Sequence, residues 1–558
     1  MGKFWKALFV LLIYAAVCRG QQYDAIIHGG TLYDGSGAPA VTTDIAIQGD
    51  RIVRIGKLDG AHAKIEIDAK GLAVTPGFIN MMSGEDTLFA DGRSQSNIRQ
   101  GVTLEIFGEG ESLGPQTAEM QRYFQARQGD IRYPITWTTL AQGLATLQRQ
   151  GISCNVASFI GAATIRENVL GFANRAPTPT ELARMQELTR QAMKEGALGV
   201  ASALIYAPGA YAKTDELIAL AQAVAPYNGI YISHIRNEGN QLIQGADELI
   251  DIARATKIHA EIYHLKEAGK SNWGKLDELV RHVETARAQG LQITADMYTY
   301  TASATGLDAS MPPWVQEGGY DAWVQRLKDP KVRKRVVEEM RTPNGDWDNG
   351  LLSAGSPERV LLVGFRNDTL KSLTGKTLAE VAKMRGESPE DTAIDLVIED
   401  GSRVGTIYFE MNEDNVRREL KLPWVSFGAD ESSQAPEGVF LKANPHPRAY
   451  GNFARFLGRY VRDEKVVPLE EAVRRLTSLP AQNLSLDHRG LLKEGYYADV
   501  VVFDPATIQD HATFEKPHQY STGVSHVFVN GVQVLKDGEH TGAKPGRVVY
   551  GPGRKAAN

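Results

Sequence analysis

The sequence contains very little cysteine. Only Cys18 and Cys154 occur in 558 residues, so a fold held together by several disulfide bonds is excluded. Cys154 lies in the apolar run 152–160, where burial is the usual fate of an isolated cysteine and a catalytic thiol is the alternative. The fold must therefore rest on its hydrophobic core and on any metal that it binds.

The sequence also lacks runs of lysine and arginine, and it lacks an apolar run long enough to span a bilayer, which takes about 20 residues. The net charge is −6, and hydrophobic residues make up 42% of the chain. This composition is typical of a folded globular protein, and it predicts neither a nucleic-acid partner nor stable membrane insertion. The length indicates more than one domain.

The first 20 residues are typical of a secretory signal peptide. Lys3 and Lys6 precede an apolar stretch at positions 7–17, and small residues stand near its end. A membrane anchor is the weaker alternative because the stretch is short. Lipidation of Cys18 is also weaker than simple cleavage, because the residues before it match a lipidation signal poorly. We therefore expect an exported protein, periplasmic or secreted.

Short β-type runs separated by turns occur at both ends of the chain. They cover residues 25–33, 44–48, 51–55, 64–68, 498–504 and 525–534. Gly49-Asp50 and Asn530-Gly531 are typical of tight hairpin turns. Because the two ends share this pattern, we predict that residues 21–75 and 481–558 together form a small β-sandwich.

Between residues 76 and 480, apolar strand-like runs alternate with amphipathic helices. The strand-like runs are 104–107, 155–160, 199–205, 229–234, 260–264, 292–298 and 425–430. The alternation predicts a parallel α/β fold, and polar residues at the strand ends favour a (β/α)8 TIM-type barrel. A doubly wound sheet is the alternative, but no Gly-rich phosphate loop follows an early strand. Residues from about 312 to 420 are too many for one connection and predict an inserted, lid-like segment.

Two histidines end separate strand-like runs. His234 closes residues 230–234, and His264 closes residues 259–264. Side chains at the carboxyl ends of barrel strands converge near the barrel axis, which is the geometry that a zinc ion needs. A single histidine would more often be structural, but a pair at matching positions favours metal ligands.

Asp430 follows the last strand-like run. A carboxylate there can accept a proton from metal-activated water and pass it to a departing amine, which is general acid/base chemistry. The alternative is a helix N-cap, because polar residues follow Asp430. If another carboxylate does this work, Glu111 and Glu238 are the nearest candidates.

Five longer motifs carry a family resemblance. They cover residues 97–103, 195–212, 233–239, 296–300 and 444–453, and residues 75–79 and 498–504 of the flanking sheet agree with them. They resemble the N-acyl-D-amino-acid deacylases, the D-aminoacylase-like branch of the amidohydrolase superfamily, over essentially the whole chain after the signal peptide. The resemblance implies a metal-dependent hydrolase that cleaves a C–N amide bond in an N-acyl-D-amino acid or a related acylated amino acid or dipeptide.

The resemblance also implies roles for individual residues. His234 and His264 match the zinc histidines of the family, and Asp430 matches its catalytic aspartate. The positions that hold the substrate are matched by Lys266, Tyr298 and Arg448. Cationic side chains at such positions suit a small-molecule substrate with a free carboxylate.

The sequence departs from the family pattern at the first metal motif. Met82 and Gly84 stand where the family has a His-x-His pair, and neither is a ligand for zinc. We therefore expect one Zn²⁺, or another divalent metal, in each chain.

A second departure concerns the family's zinc-binding cysteine, which is replaced here by a turn with two glutamates. Glu109 is the better candidate for the third protein ligand and Glu111 is the second, since a carboxylate can replace a thiolate. Ala162 and Ala304 replace a histidine and a substrate-contacting serine of the family. The identity of the substrate and the preference for D or L forms therefore stay open.

Two functions follow from these features. In the first, Glu109, His234 and His264 hold one metal ion, and Asp430 acts as base and then as acid. In the second, the protein has lost its metal and its catalysis and is a binding protein on an amidohydrolase fold. The enzyme is favoured because the chain retains His234, His264, Asp430, Lys266 and Arg448 together.

Overall fold

The computed structural model describes residues 22–343 and 347–554, so the predicted signal peptide and Cys18 lie outside the described residues. The strands are β1 Gln22–Leu32, β2 Val41–Gln48, β3 Arg51–Gly56, β4 His62–Asp68, β5 Ala73–Pro76, β6 Phe78–Asn80, β7 Val102–Phe107, β8 Asn155–Ser158, β9 Ile160–Gly161, β10 Gly199–Ala203, β11 Ile230–His234, β12 Ala260–Ile262, β13 Ile293–Met297, β14 Ser303–Gly306, β15 Val360–Gly364, β16 Gly405–Tyr408, β17 Val425–Phe427, β18 Val500–Phe503, β19 Val524–Val529, β20 Val532–Lys536 and β21 Glu539–His540. The α-helices are α1 Asp86–Ala90, α2 Gln95–Ile98, α3 Ala118–Arg127, α4 Leu140–Gln150, α5 Ala162–Leu170, α6 Pro179–Glu195, α7 Thr214–Val224, α8 Leu242–Thr256, α9 Leu276–Ala288, α10 Tyr320–Lys328, α11 Pro330–Arg341, α12 Gly350–Ala354, α13 Leu378–Arg385, α14 Pro389–Asp400, α15 Glu413–Glu419, α16 Arg448–Arg455, α17 Leu469–Leu476 and α18 Ser478–Asn483. Among these described helices, none has the length and apolar character needed to cross a membrane.

Parallel strands form a closed barrel. Their order is β6-β7-β8 and then β9-β10-β11-β12-β13-β17, and β9 continues β8 after a single intervening residue. The ring closes where the N–H group of Met81 donates to the carbonyl of Phe427 at 3.0 Å. With β8 and β9 counted as one strand, this arrangement confirms the predicted (β/α)8 barrel. Every residue of β7, β10, β11, β13 and β17 is buried, as expected for strands covered on both faces.

Local sequence signals fix the ends of the outer helices. Before α6, the Thr178 side chain accepts the N–H of Glu181, and the Glu181 carboxylate accepts the N–H of Thr178. The helix ends at Gly196, which has a left-handed φ of 108°. An N-cap of this kind contributes about 1 kcal/mol.

Both ends of the chain build the β-sandwich, whose nine strands form one hydrogen-bonded set in the order β21-β20-β19-β18-β5-β1-β2-β3, with β4 beside β1. Strand β5 joins the two ends because it pairs with β1 in parallel and with β18 in antiparallel fashion. The two predicted hairpin turns meet: a Cβ at Gly531 would lie 1.9 Å from the carbonyl oxygen of Gly49. Glycine is therefore required at position 531, where φ is 79°.

The end of the chain does not stay in the sandwich. The N–H groups of Gly546, Val549 and Gly551 donate to the carbonyls of Ile152, Val156 and Gly196, each at 2.8 Å. Residues 546–551 thus lie against the barrel, which corrects the assignment of residues 481 to 558 as a whole to the sandwich. The sequence gives little sign of this, because the tail is short, irregular and rich in glycine.

An inserted segment covers the carboxyl end of the barrel. Strands β14, β16 and β15 form a small antiparallel sheet, and the segment has a separate hydrophobic core that includes Leu307, Trp323, Val336, Leu362, Ile394 and Val397. The segment begins with β14 at Ser303 rather than at about residue 312. The first strand was missed because Ser303-Ala-Thr-Gly306 has neither an apolar run nor an alternating pattern. We call residues 303–408 the lid.

Cys154 is fully buried in the barrel. Its thiol donates to the carbonyl of Val102 at 3.3 Å, and burial raises the pKa of the thiol well above its usual value. A buried, protonated thiol is a poor nucleophile. The structural interpretation of Cys154 is therefore the correct one.

Candidate active site

The residues predicted as metal ligands meet at the carboxyl end of the barrel. Glu109 Oε1 lies 3.3 Å from Nδ1 of His234 and 3.3 Å from Nε2 of His264. One ligand atom from each of these residues lies within 4.8 Å of the other two. Glu111, the second candidate, has an exposed side chain and is not part of this cluster. We call Glu109, His234 and His264 the metal trio.

The backbone at two of the site residues is unusual. His264 has a φ of 37° and Asp430 a φ of 50°, which is the left-handed region that side chains avoid. Hydrogen bonds hold both: the N–H of His264 donates to Asp296 Oδ1 at 2.8 Å, and the N–H of Asp430 donates to the carbonyl of Met82 at 2.9 Å. Such conformations cost on the order of 1–3 kcal/mol each and concentrate at functional sites.

The electrostatic environment of the trio suits a cation. Burial disfavours the charged form of His264, but the neighbouring carboxylates of Glu238 and Glu109 raise its pKa to about 10. Burial also opposes the charge of Glu109, yet its close contacts with the two histidines keep the pKa of Glu109 below its usual range. The field that favours protons here would equally favour a divalent metal in their place.

The donor set fits zinc. Both nitrogens of the buried His234 ring lack a hydrogen-bond partner in the part of the chain that the structure describes. Buried polar atoms without partners are rare and call for a ligand. Two imidazoles and one carboxylate are a common set of three protein ligands for catalytic zinc.

The positions of the His-x-His pair offer no ligand for a second metal. Met82 is buried in the barrel core and is 4% exposed. A Cβ at Gly84 would lie 2.2 Å from the hydroxyl oxygen of Ser432, so that hydroxyl fills the space of a side chain there.

Asp430 is paired with Arg448. Arg448 Nη2 lies 2.7 Å from Asp430 Oδ2, and Arg448 is only 1% exposed. Burial raises the pKa of Asp430 above its usual value, although the guanidinium of Arg448 opposes this shift. The helix N-cap alternative for Asp430 is wrong, because irregular structure and not a helix follows this residue.

Arg448 is held firmly from two sides. The N–H of Arg448 donates to Nδ1 of His446 at 3.0 Å, and the other ring nitrogen of His446 lies 3.0 Å from the carbonyl of Ala302. Burial lowers the pKa of His446, so its neutral ring can accept one hydrogen bond and donate the other. Nε and Nη1 of Arg448 have no partner among the described residues, which leaves two buried donors for an anion.

The two other predicted substrate residues are also buried. Lys266 Nζ lies 2.7 Å from Glu238 Oε1 and 2.6 Å from His264 Nδ1. The ring of Tyr298 lies under the guanidinium of Arg448, with 4.4 Å between Cζ and the ring centroid. Lys266 therefore reaches the metal trio, and Tyr298 supports Arg448.

Two cavities meet at Glu109 and Asp430. The larger has a volume of about 650 Å³, and Phe124, Tyr133 and Trp137 line it together with Arg448. The smaller has a volume of about 200 Å³ and lies between the trio and the lid; it is lined by, among others, Tyr206, Glu238, Lys266, Asp348, Arg403 and Glu410. A substrate held at the trio therefore has room on two sides.

Sequence reasoning missed some residues of this site. Tyr206 packs beside His234 with 5.6 Å between ring centroids, and Arg403 of the lid lies over Tyr206 at 4.5 Å. Glu238 was considered only as a substitute for Asp430, although it lies beside both histidines. Its position four residues after His234 in the motif 233–239 was the signal available for it. Arg403 had no comparable signal because it lies far along the lid.

Comparison with known proteins gives a family match and similar relatives. The model of the Amidohydrolase family matches residues 66–535. The chain is 33% identical to the D-aminoacylase of Alcaligenes xylosoxydans xylosoxydans over 95% of this chain and 98% of that protein. It is also 33% identical to the N-acyl-D-aspartate deacylase of the same organism, over 95% of each chain.

Solved structures agree with this placement. A D-aminoacylase crystal structure superposes with a TM-score of 0.78 at 31% identity and covers 95% of this chain and 100% of that one. N-acyl-D-glutamate deacylase from Bordetella bronchiseptica, complexed with zinc and a phosphonate inhibitor, gives a TM-score of 0.78 at 30% identity over the same shares of the two chains. The expected class, a hydrolase of C–N bonds, is confirmed by these relatives. The chain belongs to the amidohydrolase family, in its D-aminoacylase-like branch.

Proposed function

We propose that the protein is an exported hydrolase with one Zn²⁺ per chain that cleaves the amide bond of an N-acyl-D-amino acid. The observation that carries this proposal is the convergence of Glu109, His234 and His264 within 4.8 Å of one another. Another divalent metal could serve in place of zinc. A known D-aminoacylase with a binuclear metal centre shows one-metal activation, which is consistent with activity at a single site.

The metal trio would hold the ion. When bound there, the ion lowers the pKa of water and polarises a carbonyl group. Asp430 would take a proton from the attacking water and give it to nitrogen of the leaving amine, and its raised pKa suits both steps. Arg448 keeps the Asp430 carboxylate oriented through the contact at Oδ2.

The substrate would be held through its free carboxylate. Arg448 lines the larger cavity, and its buried Nε and Nη1 are donors without a partner among the described residues. A planar guanidinium is matched to a carboxylate in a way that an ammonium is not. Lys266 adds positive charge on the other side of the trio. This arrangement supports a small acylated amino acid or dipeptide as substrate.

The alternative of an inactive binding protein has less support. A protein that had lost its metal would have no reason to retain two buried imidazoles and a carboxylate with converging ligand atoms. The relatives that are 33% identical to the chain, a D-aminoacylase and an N-acyl-D-aspartate deacylase, are enzymes.

Export rests on the sequence of residues 1–20. Cell fractionation followed by N-terminal sequencing of the mature protein tests it. We expect the protein outside the cytoplasm, with a new N-terminus near Gln21. A cytoplasmic protein that retains Met1 would contradict export without affecting the proposed chemistry.

The activity is tested with the purified protein loaded with Zn²⁺. Its turnover should be measured on matched N-acetyl-D- and N-acetyl-L-amino acids and on dipeptides, beside the bound metal content. We expect turnover of D substrates that depends on the metal. Full metal occupancy without hydrolysis of any of these amides would contradict the proposal.

A further inference from the structure

Glu238 is the buried carboxylate that faces both histidines of the metal trio from the side opposite Glu109. Its Oε1 lies 3.0 Å from Nδ1 of His264, and its Oε2 lies 3.5 Å from Nε2 of His234. Glu109 approaches the other nitrogen of each ring, Nε2 of His264 and Nδ1 of His234. Each imidazole therefore presents one nitrogen to the metal position and the other to Glu238.

The structure holds Glu238 rigidly in this place. It is only 6% exposed, its N–H donates to Asp348 Oδ2 of the lid at 2.7 Å, and its carbonyl accepts the N–H of Ala268 at 2.8 Å. The lid and the barrel thus fix its backbone together. Lys266 Nζ, 2.7 Å from Oε1, balances its charge.

A neutral His264 ring can carry its proton on either Nδ1 or Nε2. If Nδ1 carries the proton and donates to Glu238, the lone pair of Nε2 faces the metal position. If Lys266, 2.6 Å away, donates to Nδ1 instead, the proton sits on Nε2 and blocks metal binding. A neutral imidazole binds a metal through one nitrogen only when the other carries its proton, which a carboxylate partner secures.

We infer that Glu238 is a positioning residue that sets the metal-binding tautomer of His264 and orients His234, so that both rings are ready for the ion. This inference rests on the proposed metal-dependent function. Lys266 then has a second task beside any contact with substrate: it neutralises the charge of Glu238. The lid joins the metal site through Asp348, which is hydrogen bonded to the same glutamate.

The test compares Zn²⁺ affinity by competition with a chelator in the full protein. Glu238→Gln should weaken Zn²⁺ binding by about 10- to 100-fold, the usual effect of losing such a partner. Glu410→Gln is the matched control, because Glu410 is a buried carboxylate of the same cavity that accepts a hydrogen bond from Ser303. We expect the Glu410→Gln variant to bind Zn²⁺ with an affinity within about threefold of that of the parent protein.

A paired substitution separates positioning from fold stability. Glu238→Gln alone leaves the Lys266 ammonium buried without its carboxylate, which can destabilise the fold. The double variant Glu238→Gln with Lys266→Met removes both charges. If the unpaired charge alone weakened metal binding, this double variant would regain the Zn²⁺ affinity of the parent protein. We expect the affinity to stay low, and the visible spectrum of the Co²⁺-loaded double variant to differ from that of the parent. Parent-like affinity in either variant overturns the inference. Parent protein that binds no metal at all would instead overturn the proposed function.

Discussion

Arg448 contacts Asp430 through one guanidinium nitrogen, Nη2, at 2.7 Å from Oδ2, and its other two nitrogens have no partner within the described chain. One side chain can thus orient the proposed acid/base and bind an anion with its remaining donors. In the proposed function, binding of the substrate carboxylate and proton transfer would be coupled through this residue. Substitutions at the two positions should therefore have different kinetic signatures.

Asp430→Asn should leave fold and metal content nearly unchanged, because the amide has almost the size of the carboxylate. An amide cannot take up a proton from water or deliver one to the leaving amine. Turnover should fall by about 10²- to 10⁴-fold, mainly in kcat. Steady-state kinetics together with metal analysis checks this. Loss of the metal would make Asp430 a ligand, and near-normal kcat would assign proton transfer to another carboxylate.

Arg448→Lys should raise KM for substrates with a free carboxylate. A lysine keeps the positive charge beside Asp430 but cannot supply the fork of donors. Loss of one charge-assisted hydrogen bond, about 1.5–3 kcal/mol, predicts a KM roughly 10- to 100-fold higher. The matched control is the carboxamide of the same substrate, whose KM should barely change. Equal effects on both compounds would remove Arg448 from carboxylate binding.

The barrel was predictable because its strands are buried on both faces and read as continuous apolar runs. Residues 230–234 are an example: three apolar residues precede Ser233 and His234, and the flanking helices left few alternatives. Strand β14 and the C-terminal tail were not predictable, because contacts with distant segments and not local pattern determine them. Short irregular segments carry too little periodic signal.

In the candidate site, too, some residues could be predicted from the sequence and others could not. His234 and His264 could be found because strand ends converge in a barrel. The sequence also ranked Glu109 ahead of Glu111, and the structure brings Glu109 to the two histidines. The role of Glu238 could not be read from the sequence, because it depends on distances of 3.0 and 3.5 Å to two rings on different strands. Contacts between side chains far apart in the chain are not encoded in spacing.

One tightly bound metal ion should be found in each chain. The trio supplies one set of ligands, and Met82 and Gly84 cannot supply another. Elemental analysis of protein supplemented with Zn²⁺ measures the ratio directly. Chelation should abolish turnover, and readdition of one equivalent of Zn²⁺ should restore it. Two ions at full occupancy would show that a second ligand set exists.

His234→Ala and His264→Ala should each abolish tight metal binding and turnover together. Removing either imidazole leaves two protein ligands, which is fewer than the three that catalytic zinc sites use. The fold should persist, because the trio lies at the end of the barrel and the hydrophobic core lies beneath it. His282→Ala is the control: this partly exposed histidine on α9 pairs with Asp247 at 2.8 Å, remote from the barrel end, and should change neither metal content nor kcat. Circular dichroism verifies the fold of each variant, and metal analysis with kinetics gives the outcome. A His234 or His264 variant that keeps full metal occupancy would show that its imidazole is not a ligand.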